Sequence, residues 1–157
     1  MGVLARHKKC LAEADIFYKK IGKIVCPYFG HEIPFNSDGF HHLQFSADRE
    51  RDKKEQMLKF SLLPSAPMIL KNSGTVQEHR KTMEAEEAGR YSKRGRKMVE
   101  VEYWGFVAIV GKKDPLRIKV IVRRVGTGQI HFWSIMPAQR MGEDAYLKVG
   151  SDDMQDG

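Results

Sequence analysis

The sequence predicts an α+β fold in which N-terminal helices pack on a C-terminal antiparallel β-meander. Apolar residues recur with helical spacing near the start, the pattern switches to period two after Met98, and a short glycine-bearing loop joins the last two apolar runs. The 157 residues suit one hydrophobic core. We therefore read residues 1–148 as a single domain and 149–157 as a flexible acidic tail.

From Val3 to about Ile24, Leu4, Leu11, Tyr18 and Val25 recur every seven positions, and Ala14, Phe17 and Ile21 widen the stripe. This predicts an amphipathic helix that Cys26-Pro27 stops. His31 to Phe35 reads as a short strand, and Asn36-Ser37-Asp38-Gly39 as a turn leading into a second helix near Asp38. Phe40 and Leu43 share one face of that helix, which sends His41 and His42 to the edges of the buried stripe. Arg49 to Lys59 is charged and free of breakers, so it reads as helix; Ala66 to Leu70 follows as a short one after the Pro64 corner. The Glu84-Ala85-Glu86-Glu87 run is expected to form a helical turn.

Strands are expected from Met98 onward, around Ile118 to Val122 and around Ile130 to Met136. With Gly126-Thr127-Gly128 as the loop, Val125 pairs with Gln129 and Arg123 stands across from His131. One face then collects Ile118, Val120, Val122, Ile130, Phe132 and Met136. The other collects Lys119, Arg123, His131 and Trp133. A two-residue loop would mix Lys119 and Arg123 with Phe132 and Met136, a poorer core. In the preferred register Ser134 falls on the apolar face, and it would assist a phosphate only in the other.

Charge narrows the function. Lys and Arg total 27 against 20 Asp and Glu, a formal net charge of +7. Five of the eight residues from Arg90 to Lys97 are basic, and Lys112, Lys113, Arg117, Lys119, Arg123 and Arg124 follow. Such a stripe suits a polyanion; the competing reading is a solvated charged face. The expected partner is RNA, with Arg94, Arg96, Lys112, Lys113, Arg117 and Arg124 on phosphates and Trp133 stacking on an unpaired base. No run of about 20 apolar residues offers to span a bilayer. No signal-peptide h-region opens the chain, and Cys10 and Cys26 lack the spacing of a disulfide framework or zinc site, so we expect a cytoplasmic chain without a metal.

The basic face has the groups that RNA cleavage without a metal requires. The 2′-hydroxyl must lose a proton, the leaving 5′-oxygen must gain one, and a fixed cation must stabilise the phosphorane. His131 offers the acid–base group, Arg123 and Lys119 the cations, and His42 the second acid or base. A strand histidine is as readily a half-buried structural residue, and Trp133 as readily a cap on the sheet. Trp104 reads mainly as such a cap, and His7, His31 and His79 read as surface residues.

Gly39-Phe40-His41-His42-Leu43 on the helical side and Ile130-His131-Phe132-Trp133-Ser134-Ile135-Met136-Pro137 at the end of the meander carry a family likeness. From roughly Pro27 to Pro137 the chain resembles the barnase, EndoU, colicin and RelE-like nuclease superfamily, its toxin and phage-borne branches especially. The resemblance implies a small metal-independent ribonuclease without a cofactor, with His42 as the helix-borne catalytic residue and Arg123 and His131 as the sheet-borne ones. It also implies a neutralising protein, an inhibitor or antitoxin, acidic where it covers the basic face.

The functional expectation is an endoribonuclease toxin that cleaves mRNA or tRNA by 2′-hydroxyl transesterification. Against it stand a noncatalytic RNA- or DNA-binding regulatory module and a phage protein that contacts DNA. No glycine-rich phosphate loop, GxSxG elbow or HExxH motif supports another enzyme class.

Overall fold

Helix α1 (Val3–Ile21) buries His7, Ala14 and Tyr18, with Leu11 and Ile21 half-buried. That 7, 11, 14, 18, 21 series, spaced alternately by four and three, contains Leu11, Ala14, Tyr18 and Ile21 of the expected stripe and adds His7 to it. Leu4, expected in the stripe, is 74% exposed, and His7, expected on the surface, is buried with Nε2 at 2.8 Å from Gln56 Oε1. Gly22, at φ +64°, ends the helix ahead of the expected proline stop, because a left-handed residue breaks the ladder without the Cβ clash. The freed segment forms the hairpin β1 (Lys23–Cys26) and β2 (His31–Pro34), where Val25 faces outward.

The computed structural model describes residues 2–46, 49–85 and 97–138. Of the expectations above, Arg94, Arg96, Glu86, Glu87 and the 149–157 tail lie outside these residues. No helix among the described residues is long and apolar enough to cross a membrane.

Asn36 caps α2 (Ser37–Gln44), its side chain accepting from the Gly39 amide at 3.1 Å. Asp52 caps α3 (Lys53–Leu62) in the same way, through the Glu55 amide at 2.8 Å. The charged run therefore becomes helical only after Asp52, and Arg49–Glu50 (β4) pairs instead with Phe45–Ser46 (β3). Helix α4 (Ser65–Lys71) follows the proline corner.

The fold is α+β, with a four-stranded antiparallel sheet at the C-terminal end in the order β5–β6–β7–β8. Its strands are β5 (Glu78–Ala85), β6 (Met98–Val110), β7 (Leu116–Val125) and β8 (His131–Pro137). Glu84 and Ala85, expected in a helical turn, close β5: its side chains alternate between half-buried and exposed, and pairing along β6 outweighs the helix propensity of glutamate. Helices α2, α3 and α4 pack against the sheet, while α1 lies mainly on α3 and reaches Phe132 through Tyr18. Tyr18, Phe60, Leu63 and Leu70 meet Trp104, Phe106, Val120, Val122 and Phe132 in the main core.

The β7–β8 hairpin has the expected register at its mouth, with Arg123 opposite His131 and Val122 opposite Phe132. The next pair is Ile121 with Ser134, so Trp133 is an extra residue, a β-bulge. One inserted residue reverses the parity of the rest of β8. Ile135 takes the core position across from Val120, while Met136, expected in the core, stands opposite Lys119 on the other face. Ser134 leaves the apolar face as well.

Candidate active site

At the bulge, α2 packs against β8 and brings His42 onto Trp133. The two rings stack with centroids 3.9 Å apart and planes 17° from parallel. The Arg123 guanidinium carbon lies 3.4 Å from the centroid of the same indole. Groups so close to one centroid must occupy opposite faces, so Trp133 is the middle layer of a His42–Trp133–Arg123 stack. Both faces of the indole are taken, so in this structure it offers no open face to the base expected to stack on it. Its Nε1 is buried and has no hydrogen-bond partner.

Glycine makes this packing possible. A Cβ on Gly39 would press into the Phe132 carbonyl oxygen and come within 2.7 Å of the Tyr18 hydroxyl. The α2 backbone therefore sits directly on β8, and His42, three residues on, is carried over the bulge.

Arg123 also reaches His131. Its Nε donates to His131 Nε2 at 3.3 Å, and on the far side of the ring Nδ1 lies 3.2 Å from the Gln129 carbonyl. A guanidinium can only donate and a carbonyl can only accept, so this imidazole is neutral, with its proton on Nδ1. Burial, and then the Arg123 charge, hold its pKa below the ordinary histidine value.

His42 is uncharged for related reasons. Arg51 Nη2 donates to His42 Nε2 at 3.1 Å, and Arg51 Nε donates to the His42 carbonyl at 2.9 Å. Burial is the largest cause of its lowered pKa, followed by the charges of Arg51, Lys59 and Arg123; together they push it down to about 2. Arg51 is 2% exposed and is held in turn by Glu55 at 2.9 Å.

Lys59 on α3 donates to Ser134 Oγ at 3.3 Å and to the Ile135 carbonyl at 3.1 Å. Burial first, and then the Arg51 charge, bring its pKa down to about 7. Ser134 is fully buried beneath the site.

The other sequence-derived candidates divide. Lys119 shares the Arg123 face but lies four residues along β7, roughly 13 Å at a strand's rise. There it pairs with Glu78 at 3.2 Å. This ion pair passes over Gly105, where a Cβ would meet Glu78 Cβ at 3.2 Å and Lys119 Cδ at 3.4 Å. Arg117 stands further along the same face, opposite Ile109, and Lys112 and Lys113 are exposed in the β6–β7 loop. Arg124 points to the opposite face, with Nη2 at 2.7 Å from Glu102 Oε1. His79 is exposed, as expected, and pairs with buried Glu102 and stacks on Trp104. Trp104 packs edge-on against Phe29 of the β1–β2 turn, as a cap on the sheet. His41 is exposed and stacks on Phe45, and His31 is exposed beside Phe29.

Three site residues escape a reading of the sequence. Arg51 and Lys59 look like members of a solvated helical run, and only their burial distinguishes them. Ser134 is misplaced by the unseen bulge. Among the described residues, no group of three or more His, Cys, Asp or Glu side chains could hold a metal ion. Comparison of the chain with protein-family models, with curated proteins and with solved structures finds no match.

Proposed function

We propose that this chain is an endoribonuclease that cleaves RNA by transesterification, with His131 and Arg123 at its centre. The observation that carries the proposal is the Arg123 guanidinium, stacked at 3.4 Å on Trp133 while it donates at 3.3 Å to a neutral imidazole. A phosphodiester competes for that guanidinium. As Arg123 turns its donors to the phosphate oxygens, His131 Nε2 is released as a proton acceptor.

The reaction then runs as follows. His131 takes the 2′-hydroxyl proton, the 2′-oxygen attacks phosphorus, and Arg123 stabilises the added negative charge. The bond to the 5′-oxygen breaks, leaving a 2′,3′-cyclic phosphate, and the 5′-oxygen is protonated by solvent. His42 serves as a positioning residue, since its Nε2 already accepts from Arg51. Its stack on Trp133 holds the plane on which Arg123 rests. Lys59 adds positive potential from below. Lys119 is tied to Glu78 and takes no direct part.

The biological reading that accompanies this chemistry is a cytoplasmic toxin acting on mRNA or tRNA, restrained by an acidic inhibitor or antitoxin. One observation favours a second reading, a noncatalytic RNA- or DNA-binding module: both histidines have lowered pKa values, which suits structure better than proton transfer.

Incubation with total RNA in excess EDTA separates the two. Cleavage with cyclic-phosphate ends, lost in His131→Ala and Arg123→Ala, supports the nuclease. Intact RNA held in a salt-dependent manner supports the binding module.

A further inference from the structure

Strand β6 runs on past its neighbour. Its pairing with β5 ends where Gly105 meets Glu78, yet β6 continues to Val110. Residues 106–110 thus form an open edge on that side, roughly 17 Å long at a strand's rise. Gly105 and Val107 show which backbone groups face it. The Gly105 carbonyl accepts from the Gln77 amide at 3.1 Å, and the Val107 amide donates to Gln77 Oε1 at 2.7 Å. Both backbone groups of a residue point the same way in an antiparallel ladder, and the direction alternates along the strand. The Val107 carbonyl and the Ile109 amide and carbonyl therefore face this side too, beyond the first residue of β5. The Gln77 side chain already fills one position of the missing strand.

The two sides of the edge differ. Towards α4 lies a cleft of about 420 Å³, lined by Met68, Asn72, Thr75, Ala108 and Val110. Met68 is 55% exposed, and Leu116, opposite Val110, is exposed as well. On the other face Ile109 is 65% exposed and stands across from Arg117. Lys112 and Lys113 are exposed in the loop that follows, beside one acid, Asp114, and Lys71 is exposed at the end of α4. An apolar edge with backbone groups to spare is what strand addition uses, and the side chains of an added strand fall alternately on its two faces. Apolar ones suit the cleft, and acidic ones suit Arg117 and the loop lysines.

We propose that the 106–110 edge of β6 binds an extended segment of a partner protein, of alternating apolar and acidic residues, as an added antiparallel strand in line with β5. Ile109 lies six residues beyond Tyr103, roughly 20 Å along the sheet from the row that holds Arg123 and His131. The surface is thus separate from the candidate active site, and the inference does not rest on the nuclease reading.

The test uses the full chain, its amide chemical shifts, and a seven-residue peptide of alternating valine and glutamate added up to millimolar concentration. Binding should move the amides of Gln77, Val107 and Ile109 and leave those of Arg123 and His131 in place. Peptide residues opposite Val107 and Ile109 share their face and turn their amides to β6, so with valines in the cleft the glutamates carry the inward donors. N-methylation at the glutamates should then weaken binding about tenfold, and N-methylation at the valines by less than about twofold. These changes alter only the peptide, so they read the edge without risk to the fold. Ile109→Pro removes the edge donor without removing a bond to β7, and should weaken the parent peptide as well. No shift change at millimolar peptide overturns the proposal. So does an equal effect of the two methylations, which would leave only a basic patch open to any polyanion, RNA included. A dimer of the free chain that Ile109→Pro dissolves would also overturn it, by assigning the edge to a second copy. Edge binding alongside intact RNA in the EDTA assay would leave the docking surface standing and sink only the nuclease.

Discussion

Arg51 holds His42 at two points, Nη2 on the imidazole Nε2 at 3.1 Å and Nε on the backbone carbonyl at 2.9 Å. A single buried side chain thereby sets the ring's tautomer, its orientation and the end of α2. The imidazole in turn backs Trp133, and Trp133 backs Arg123. Order at the Arg123 guanidinium is thus transmitted from Arg51, just ahead of α3, through His42 and Trp133, which leads to distinct expectations for each layer.

Replacing His42 separates the stack from the hydrogen bond. His42→Phe keeps a ring on Trp133 but leaves Arg51 Nη2 without its acceptor, at a cost of about 1–3 kcal/mol. His42→Ala loses the ring as well and should cost about 3–5 kcal/mol. Urea unfolding of the two variants checks the order, and equal losses would argue against a contribution from stacking.

Arg123→Lys preserves the charge and discards the planar fork that stacks on indole and spans two phosphate oxygens. If the proposed reaction holds, cleavage of RNA in EDTA should fall about 10²–10³-fold. The urea midpoint should move far less than it does for His42→Ala.

Gly39→Ala puts a methyl group into the Phe132 carbonyl and the Tyr18 hydroxyl. Either α2 lifts from β8 or the strand shifts, so the expected loss is about 2–3 kcal/mol. Displacement of His42 from Trp133 should also change the tryptophan emission. A variant as stable as the parent would contradict the close approach.

Stability should rise with pH in two windows. His42 and His131 have lowered pKa values in the folded state, so below the unfolded histidine value the unfolded chain binds more protons. Each contribution is complete above pH 6.5 and is lost as pH falls, by up to about 1.4 kcal/mol per pH unit per group. Lys59, brought down to about 7 from the ordinary lysine value of 10.5, adds a second rise between those values. Lys59→Met should flatten the upper limb alone in denaturant titrations at pH 5 to 10. An unchanged upper limb would show that Lys59 keeps its ordinary affinity for protons.

The pairing of Arg123 with His131 could be read from the chain because a three-residue loop and two alternating strands leave one register with a clean apolar face. The helix that bears His42 could be read from Asn36 and Gly39, and the expected surface position of His7 failed because His7 lies seven residues before Ala14 on the buried stripe of α1 and meets Gln56 of α3. Arg51 and Lys59 could not be read. A charged helical run has the same composition whether its arginine is bathed in water or sealed beneath another helix.

Local chemistry in the chain settles the α+β class, the glycine stop after α1, the Asn36 and Asp52 caps and the β7–β8 hairpin, because each depends on neighbours a few residues away. The bulge at Trp133, the fate of Ser134 and Met136, and the stack from Arg51 to Arg123 depend on how α2 and α3 meet the edge strand. Those contacts join residues from 9 to 91 positions apart in sequence for Arg51–His42 and His42–Trp133 respectively. Their free energy comes from burial that exists only once the layers have closed.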